Sequence, residues 1–452
     1  MQLARALGLG PKEVVTLVGG GGKTTLMFRL AAELVAAGRN VVTTMTTRIF
    51  VGQMGLAPAS LVLEGEEALF AQLPPALREF RHVLVAGDIL LEQDKVQGLA
   101  PDLVDRIRGL PEVDIVIVEA DGSRRRPLKA PAPHEPVVPA STTIAVPLVG
   151  LDVLGQPLTA EYVHRPQLVA ELTGAAIGDP VTPAMIATVL SHPCGGAKNV
   201  PPGARLIPFL NKVEDEAQRA AARETARLLL QFPRVDRVVL GATQADDPVA
   251  EVWTSVSAVV LAAGQAKRFG ALKQILPWGG SPLVAHVADQ ALACQDVNRV
   301  AVTVGARADE VRAALGARDV QVVPVADWEQ GQSSSVLDGL LAVASPEIGR
   351  SCGAVLFLLA DQPGVSPALL SALIARHRET LAPVVAPRYR GLRGNPVLFD
   401  RTTFAEFAAL RGDIGARPII QAHEDQIAWV DWPSSEITRD LDTPADYEAA
   451  NS

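Results

Sequence analysis

Short apolar runs alternate with amphipathic stretches along the whole chain. Val14–Val18 is a β-branched run of strand length, and Leu26, Leu30 and Leu34 recur every four residues behind it. This predicts a buried strand, then a helix that stops at Gly38. Val41–Thr44, His82–Gly87 and Asp114–Val118 repeat the strand pattern, and Arg234–Gly241 closes that series. A second series opens at Ser257–Val260, followed by a helical pattern over Leu283–Ala293, a strand over Val300–Val304 and a helix over Asp309–Leu315. A strand over Val320–Val325, a helix through Val336, Leu337, Leu340 and Leu341, and the apolar strand Ala354–Leu359 continue it. Such alternation predicts an α/β protein with mostly parallel sheets. The short polar stretch Ala245-Asp246-Asp247-Pro248 is expected to link two domains, residues 1–250 and 251–452. The first is expected to be a P-loop-type parallel sheet and the second a Rossmann-like sheet.

Bulk composition narrows the function classes. A length of 452 residues exceeds one ordinary core, and 48% hydrophobic with 20% charged residues is a globular composition. The net charge of −9 argues against general nucleic-acid binding, which needs basic faces. Three scattered cysteines, Cys194, Cys294 and Cys352, suit neither a disulfide framework nor a zinc cluster and fit a reducing cytoplasm. The first residues lack the apolar region of a signal peptide, and no run approaches the ~20 residues of a membrane helix, so no membrane partner is expected.

Chemistry concentrates where strands end. Gly19-Gly20-Gly21-Gly22-Lys23-Thr24-Thr25 follows the first strand directly and opens the first helix. In that arrangement the amides of Gly21 and Gly22 and the helix start hold phosphates, Lys23 reaches the terminal ones, and the Thr24 hydroxyl ligates Mg²⁺. The usual spacing would put a first glycine at Leu17, so this is a short variant for ATP or GTP. Glu119-Ala120-Asp121-Gly122 ends the Asp114–Val118 strand. These strand-end carboxylates, Asp121 foremost, are candidates for a second Mg²⁺ contact or water-orienting group, or alternatively cap a loop. Arg124, Arg125, Arg126 and Lys129 either clamp an anion or form a solvated basic turn. Asn211-Lys212-Val213-Glu214-Asp215 is open to two readings, a guanine reader or the acidic first turn of a helix. His134, His164 and His192 lack paired ligand spacing and read as loop histidines; Cys194 is a soft-metal or selenium contact or an inert thiol.

In the second series, Leu261–Lys273 replaces apolar residues with glycines and cations. Gly264 and Gly270 let backbone approach a ligand, and Arg268 and Lys273 add positive charge, which suits a triphosphate. Ser333 and Ser334 open a helix as caps or as contacts to ribose or phosphate oxygens. Asp361 ends the Ala354–Leu359 strand, where a carboxylate can hold Mg²⁺ against a triphosphate.

Two resemblances follow from motifs in order. GGGGKTT, EADGSRRRPLKAPAPHEPVVP, GLDVLGQPLTAEYVHRP, HPCGGAKNVPPGAR and FLNKVED, across residues 10–245, resemble the YqeC family. That resemblance implies an accessory role beside selenium-dependent molybdenum hydroxylases, with such an apo-enzyme as a candidate partner. LAAG with Arg268 and Lys273, GQSSS, DQP, GNPVLF, GDIGAR and DLDTP, across residues 256–448, resemble MobA-like nucleotidyltransferases, nearest the molybdenum cofactor cytidylyltransferase (MocA) branch. This implies a nucleotidyltransferase sheet that moves CMP from CTP to a molybdopterin-type cofactor with release of pyrophosphate. Carried over, Arg268 and Lys273 neutralise the triphosphate and Asp361 and Asp442 hold Mg²⁺. Ala262, Ala263 and Gly264 meet the nucleotide, and the segments at Asn395 and Asp413 face the acceptor. Phe269 departs from the family's common Met. Guanylyl transfer from GTP, cytidylyl transfer to a sugar or polyol phosphate, and a first half acting as an NTP-switched carrier stay open as alternatives.

Overall fold

The computed structural model describes residues 1–90, 95–264, 269, 272–345, 351–441 and 443–451. The chain divides into two compact units, Met1–Trp253 and Thr254–Ser452, and both are α/β with sheets rich in parallel pairs. No described helix is long and apolar enough to cross a membrane.

In the first unit the strand Glu13–Gly19 lies between Ile144–Gly150 and Ile115–Glu119, parallel to both. Val41–Met45, His82–Ala86 and Ala59–Val62 extend the sheet on the Ile115 side. Phe209–Asn211, Arg237–Gly241 and Val249–Thr254 extend it on the other. Helices cover the faces of these strands, so Val14, Val15, Leu17, Val116, Ile117 and Val118 are all fully buried and read as unbroken apolar runs. The helix Lys23–Ala36 packs Leu26, Met27, Leu30 and Leu34 inward, with Gly38 in the left-handed region just beyond it.

The stretch Ala245–Pro248 is not a linker between the units. It lies inside the first one and turns the chain from Arg237–Gly241 into Val249–Thr254, which adds to the edge of the first sheet. Its polar, proline-containing composition serves a tight turn as readily as a linker.

In the second unit the strand Val256–Leu261 is central. Arg299–Val304 and then Gln321–Pro324 lie to one side, Ala354–Leu359 to the other, all parallel. Val397–Asp400 then pairs antiparallel with Ala354–Leu359, so this sheet is mixed. The first strand thus separates two runs of the chain that wind in opposite directions, and a crevice opens at such a switch point. Leu261 pairs with Leu359, which places the loops that leave these two strands side by side.

Candidate functional site

The glycine run of the first unit joins Glu13–Gly19 to the helix that begins at Lys23. Gly21 has φ +80°, and a Cβ there would fall 2.1 Å from the Gly150 nitrogen. Only glycine lets the loop pass that close. The buried Asn211 amide donates to Gly21 O at 2.7 Å, and its own oxygen accepts from Thr243 N at 2.9 Å. Asp215 accepts from Gln218 N at 2.8 Å in a capping box at the start of the helix Glu216–Leu229. The Asn-Lys-Val-Glu-Asp stretch therefore holds the glycine loop with its asparagine and starts a helix with its aspartate.

Behind the loop lies a buried ionic cluster. The Lys23 ammonium stands 3.3 Å from Asp121 Oδ1 and 3.8 Å from Glu119 Oε1. Thr24 Oγ1 donates to Glu119 Oε2 at 2.8 Å, while Thr25 is exposed on the helix. Asp121 accepts from Gly19 N at 3.0 and 3.1 Å and pairs with Lys129 at 2.8 Å. Lys129, whose side chain is completely buried, also reaches Glu135 at 2.7 Å, and Arg165 closes on the same carboxylate at 2.6 Å. Burial raises the proton affinity of Glu119 against the pull of Lys23. Burial also opposes ionisation of Glu135, but hydrogen bonds from Arg165 and Lys129 outweigh it and hold that carboxyl down at about 2. Asp121 is thus committed to the loop and two lysines, and Glu119 is the carboxylate that Thr24 touches. Glu119 is one of the strand-end carboxylates that the sequence marks, whereas Glu135 and Arg165 were not singled out from sequence.

Lys129 is an interior cation rather than part of a solvated turn, whereas Arg124 and Arg125 are exposed, with left-handed backbones. Burial, then Arg165 and Lys129, hold His164 down at about 4. His192 Nδ1 accepts from the backbone of the exposed Cys194 at 3.0 Å. Among the described residues no group of three or more His, Cys, Asp or Glu is placed to hold a metal.

The second unit contains an open cleft of about 850 Å³ at the switch point. Ala263 and Gly264 line it where the central strand ends, with Ala262 buried behind them. Lys273, on a 3₁₀ turn, forms an ion pair with Asp361 and lies 3.4 Å from Leu441 O. Leu441 N donates to Asp361 O at 3.3 Å, and Gln362 bonds Asp440, so the segment near the C-terminus is pinned beside the cleft. The helix Gln332–Ala344 starts at the cleft wall. Asp413 Oδ1 accepts from Gln332 N at 3.2 Å there, and Gly412 O accepts from Ser333 N at 3.2 Å. Ser335, rather than Ser333 or Ser334, lines the cleft, because it shares a helix face with Gln332. The Ser333 hydroxyl is buried without a partner. Asn395 does not line the cleft; its N–H donates to Ile437 O at 2.9 Å. Arg268, Gly270 and Asp442 lie outside the described residues. Trp328 and Gln274 also line the cleft and were missed from sequence, since neither belongs to a glycine- or charge-rich motif.

Among the described lining residues Lys273 is a cation and Glu329, Asp361 and Asp413 are carboxylates. Three carboxylates among these residues would favour a triphosphate that arrives with a divalent cation. Hard carboxylate oxygens at a strand end are a donor set that suits Mg²⁺, which takes one or two protein carboxylates beside substrate phosphates.

Comparison with known proteins divides along the same line. Residues 15–167 match the family described as YqeC protein, and residues 258–427 match the MobA-like NTP transferase domain. An uncharacterized protein, YqeC of Escherichia coli (strain K12), is 35% identical over 239 residues, which span 52% of this chain and 90% of that protein. Nicotine blue oxidoreductase of Paenarthrobacter nicotinovorans is 29% identical over 197 residues, 42% of this chain and 92% of that protein. Purine catabolism protein PucB of Bacillus subtilis (strain 168) is 30% identical over 197 residues, 42% of this chain and 93% of that protein.

Proposed function

Because the chain belongs to the YqeC family in its first half and to the MobA-like NTP transferases in its second, we propose that it cytidylylates a molybdenum cofactor and carries its own accessory nucleotide-binding unit. In the proposed reaction a terminal phosphate oxygen of a molybdopterin-type acceptor bonds to the α-phosphorus of CTP. The bond from that phosphorus to the bridging oxygen breaks, and pyrophosphate leaves. A phosphate nucleophile is already ionised near neutral pH, so the cleft needs alignment and charge neutralisation rather than a Ser, Cys or His nucleophile.

The observation that carries this reading is the Leu261–Leu359 register, which brings Gly264, Lys273 and Asp361 to one cleft. The backbone at Ala262–Gly264 receives the nucleotide, and Lys273 leaves Asp361 for the phosphates. Asp361, with Asp442 as its expected partner, would hold Mg²⁺, which supplies positive charge to the triphosphate when bound. The start of the helix Gln332–Ala344, whose first two amides are held by Asp413 and Gly412, turns its positive dipole end to an anion. The loop at Asp413, bonded to that helix start, faces the acceptor. Arg268 adds a second cation, and Gly270 and Ser335, in place of the expected Ser333 and Ser334, complete the nucleotide side. The segment at Asn395 shapes the acceptor side from behind.

In the first unit, Gly21, Gly22, Lys23, Thr24 and Thr25 would hold ATP or GTP. Thr24 and Glu119 fit a Mg²⁺ contact better than Asp121, whose oxygens are already taken by Gly19 and the lysines. Its place is in maturation of a molybdenum hydroxylase. Incubating the full chain with CTP or GTP, Mg²⁺ and molybdopterin cofactor, then following pyrophosphate, tests the reading. Release with CTP and cofactor together is expected; release with neither nucleotide sinks it.

A further inference from the structure

Gln274 holds a carbonyl of the turn that ends the central strand, and Trp328 stands on the wall of the same cleft. Gln274, 4% exposed, donates through Nε2 to Gly264 O at 2.8 Å, and its own Oε1 is buried without a partner. The orientation follows from chemistry, since an amide oxygen turned towards Gly264 O would oppose one acceptor with another. Trp328 is half-buried on the cleft wall. Its Cβ and Cγ lie 2.6 Å from the point where a side chain on Gly305 would begin, a point itself 2.8 Å from Ala263 O. The missing side chain of Gly305 therefore lets the root of the indole close onto the Gly305 backbone. The indole N–H makes no hydrogen bond among the described residues.

A buried amide oxygen without a donor is costly to leave unmet. An ionised triphosphate carries acceptors only, so it cannot satisfy Gln274. Within an NTP, such a donor sits at the nucleoside end, as a base N–H or a ribose hydroxyl. An aromatic face on the same wall offers a base a stacking surface. We propose that Trp328 and Gln274 form the nucleoside-binding subsite of the cleft, with the indole stacked on the base and the Gln274 amide oxygen accepting one nucleoside hydrogen. This rests on the nucleotidyl-transfer reading and adds the residues that read the nucleoside.

The test uses the full chain carrying Lys23→Ala, to remove the first unit's contribution, with Mg²⁺ present. Calorimetric titrations compare CTP, UTP, 2′-deoxy-CTP, 3′-deoxy-CTP and inorganic tripolyphosphate. Adding Trp328→Ala should weaken CTP roughly 10- to 100-fold and leave tripolyphosphate unchanged, because only the base loses its platform. Adding Gln274→Leu should erase the preference for CTP over one analogue. That analogue is UTP if the donor is the cytosine amine, and a deoxy nucleotide if it is a ribose hydroxyl. The subsite is overturned if Trp328→Ala binds CTP normally, or if either variant weakens tripolyphosphate as much as CTP. If the starting protein binds neither CTP nor tripolyphosphate, the transfer reading itself falls, which the other two failures leave standing.

Discussion

Lys273 and Asp361 meet in an ion pair at the head of the second unit's cleft, one from the turn after the glycine loop and the other from the end of a neighbouring strand. Each offsets the other's charge. A triphosphate with its cation would part them, the ammonium turning to phosphate and the carboxylate to metal. On the proposed reading, the pair is a resting arrangement of two groups with opposite tasks.

Asp361→Ala should abolish transfer, with a loss of ~10³-fold or more in turnover. The pair is partly exposed, 15% for Lys273 and 22% for Asp361, so the unfolding temperature should move little. Pyrophosphate release and a thermal melt on one preparation check both halves. Near-normal turnover would remove Asp361 from the metal role.

Thr24→Val removes the hydroxyl that donates to Glu119 while keeping the side chain's shape. Mg²⁺-dependent binding of ATP or GTP to the first unit should weaken by about 10-fold or more, a loss on the order of 1.4 kcal/mol or greater. Nucleotide titrations with and without Mg²⁺ read the effect. Equal affinities for variant and parent in Mg²⁺ would return the metal contact to Asp121.

His82 supplies a pH dependence. Burial holds its folded pKa down at about 4 from a usual 6.5, with Thr43 Oγ1 2.9 Å from its Nε2. Between those values the unfolded chain binds the extra proton, so first-unit stability should fall as pH drops from 6.5 towards 4. Above 6.5 both states are neutral and this contribution is flat. His82→Gln should reduce the slope over that window by up to one proton, read from denaturant midpoints at several pH values. An unchanged slope would show that His82 does not set it.

Gly21→Ala puts a Cβ against the Gly150 backbone at a left-handed φ. Neither neighbour can yield cheaply, so a loss of roughly 1–3 kcal/mol is expected, together with loss of nucleotide binding. Denaturant titration and nucleotide binding should fail together; a stable variant that still binds would show the loop is not held there.

Local patterning carried much of this in advance. The apolar run at Ala354–Leu359 and the leucine spacing after Lys23 report burial that the same residues go on to show. Glycine-rich turns at strand ends marked both candidate sites, where phosphate chemistry would need bare backbone. Partners set by distant segments were not legible. Nothing near Lys129 in sequence shows that Asp121, Glu135 and Arg165 converge on one buried knot. Trp328 looks like any surface aromatic until Gly305, on another strand's end, is seen to make room for it. Ala245–Pro248 has linker composition, and only strand pairing places it inside the first unit.

The most direct measurement is the mass of the product formed when the full chain is given CTP, Mg²⁺ and molybdopterin cofactor. The account predicts the cofactor's mass increased by one cytidylyl group, with one pyrophosphate released per product. Cofactor recovered unchanged while CTP is consumed, or a guanylyl adduct formed in preference when GTP competes, would contradict it.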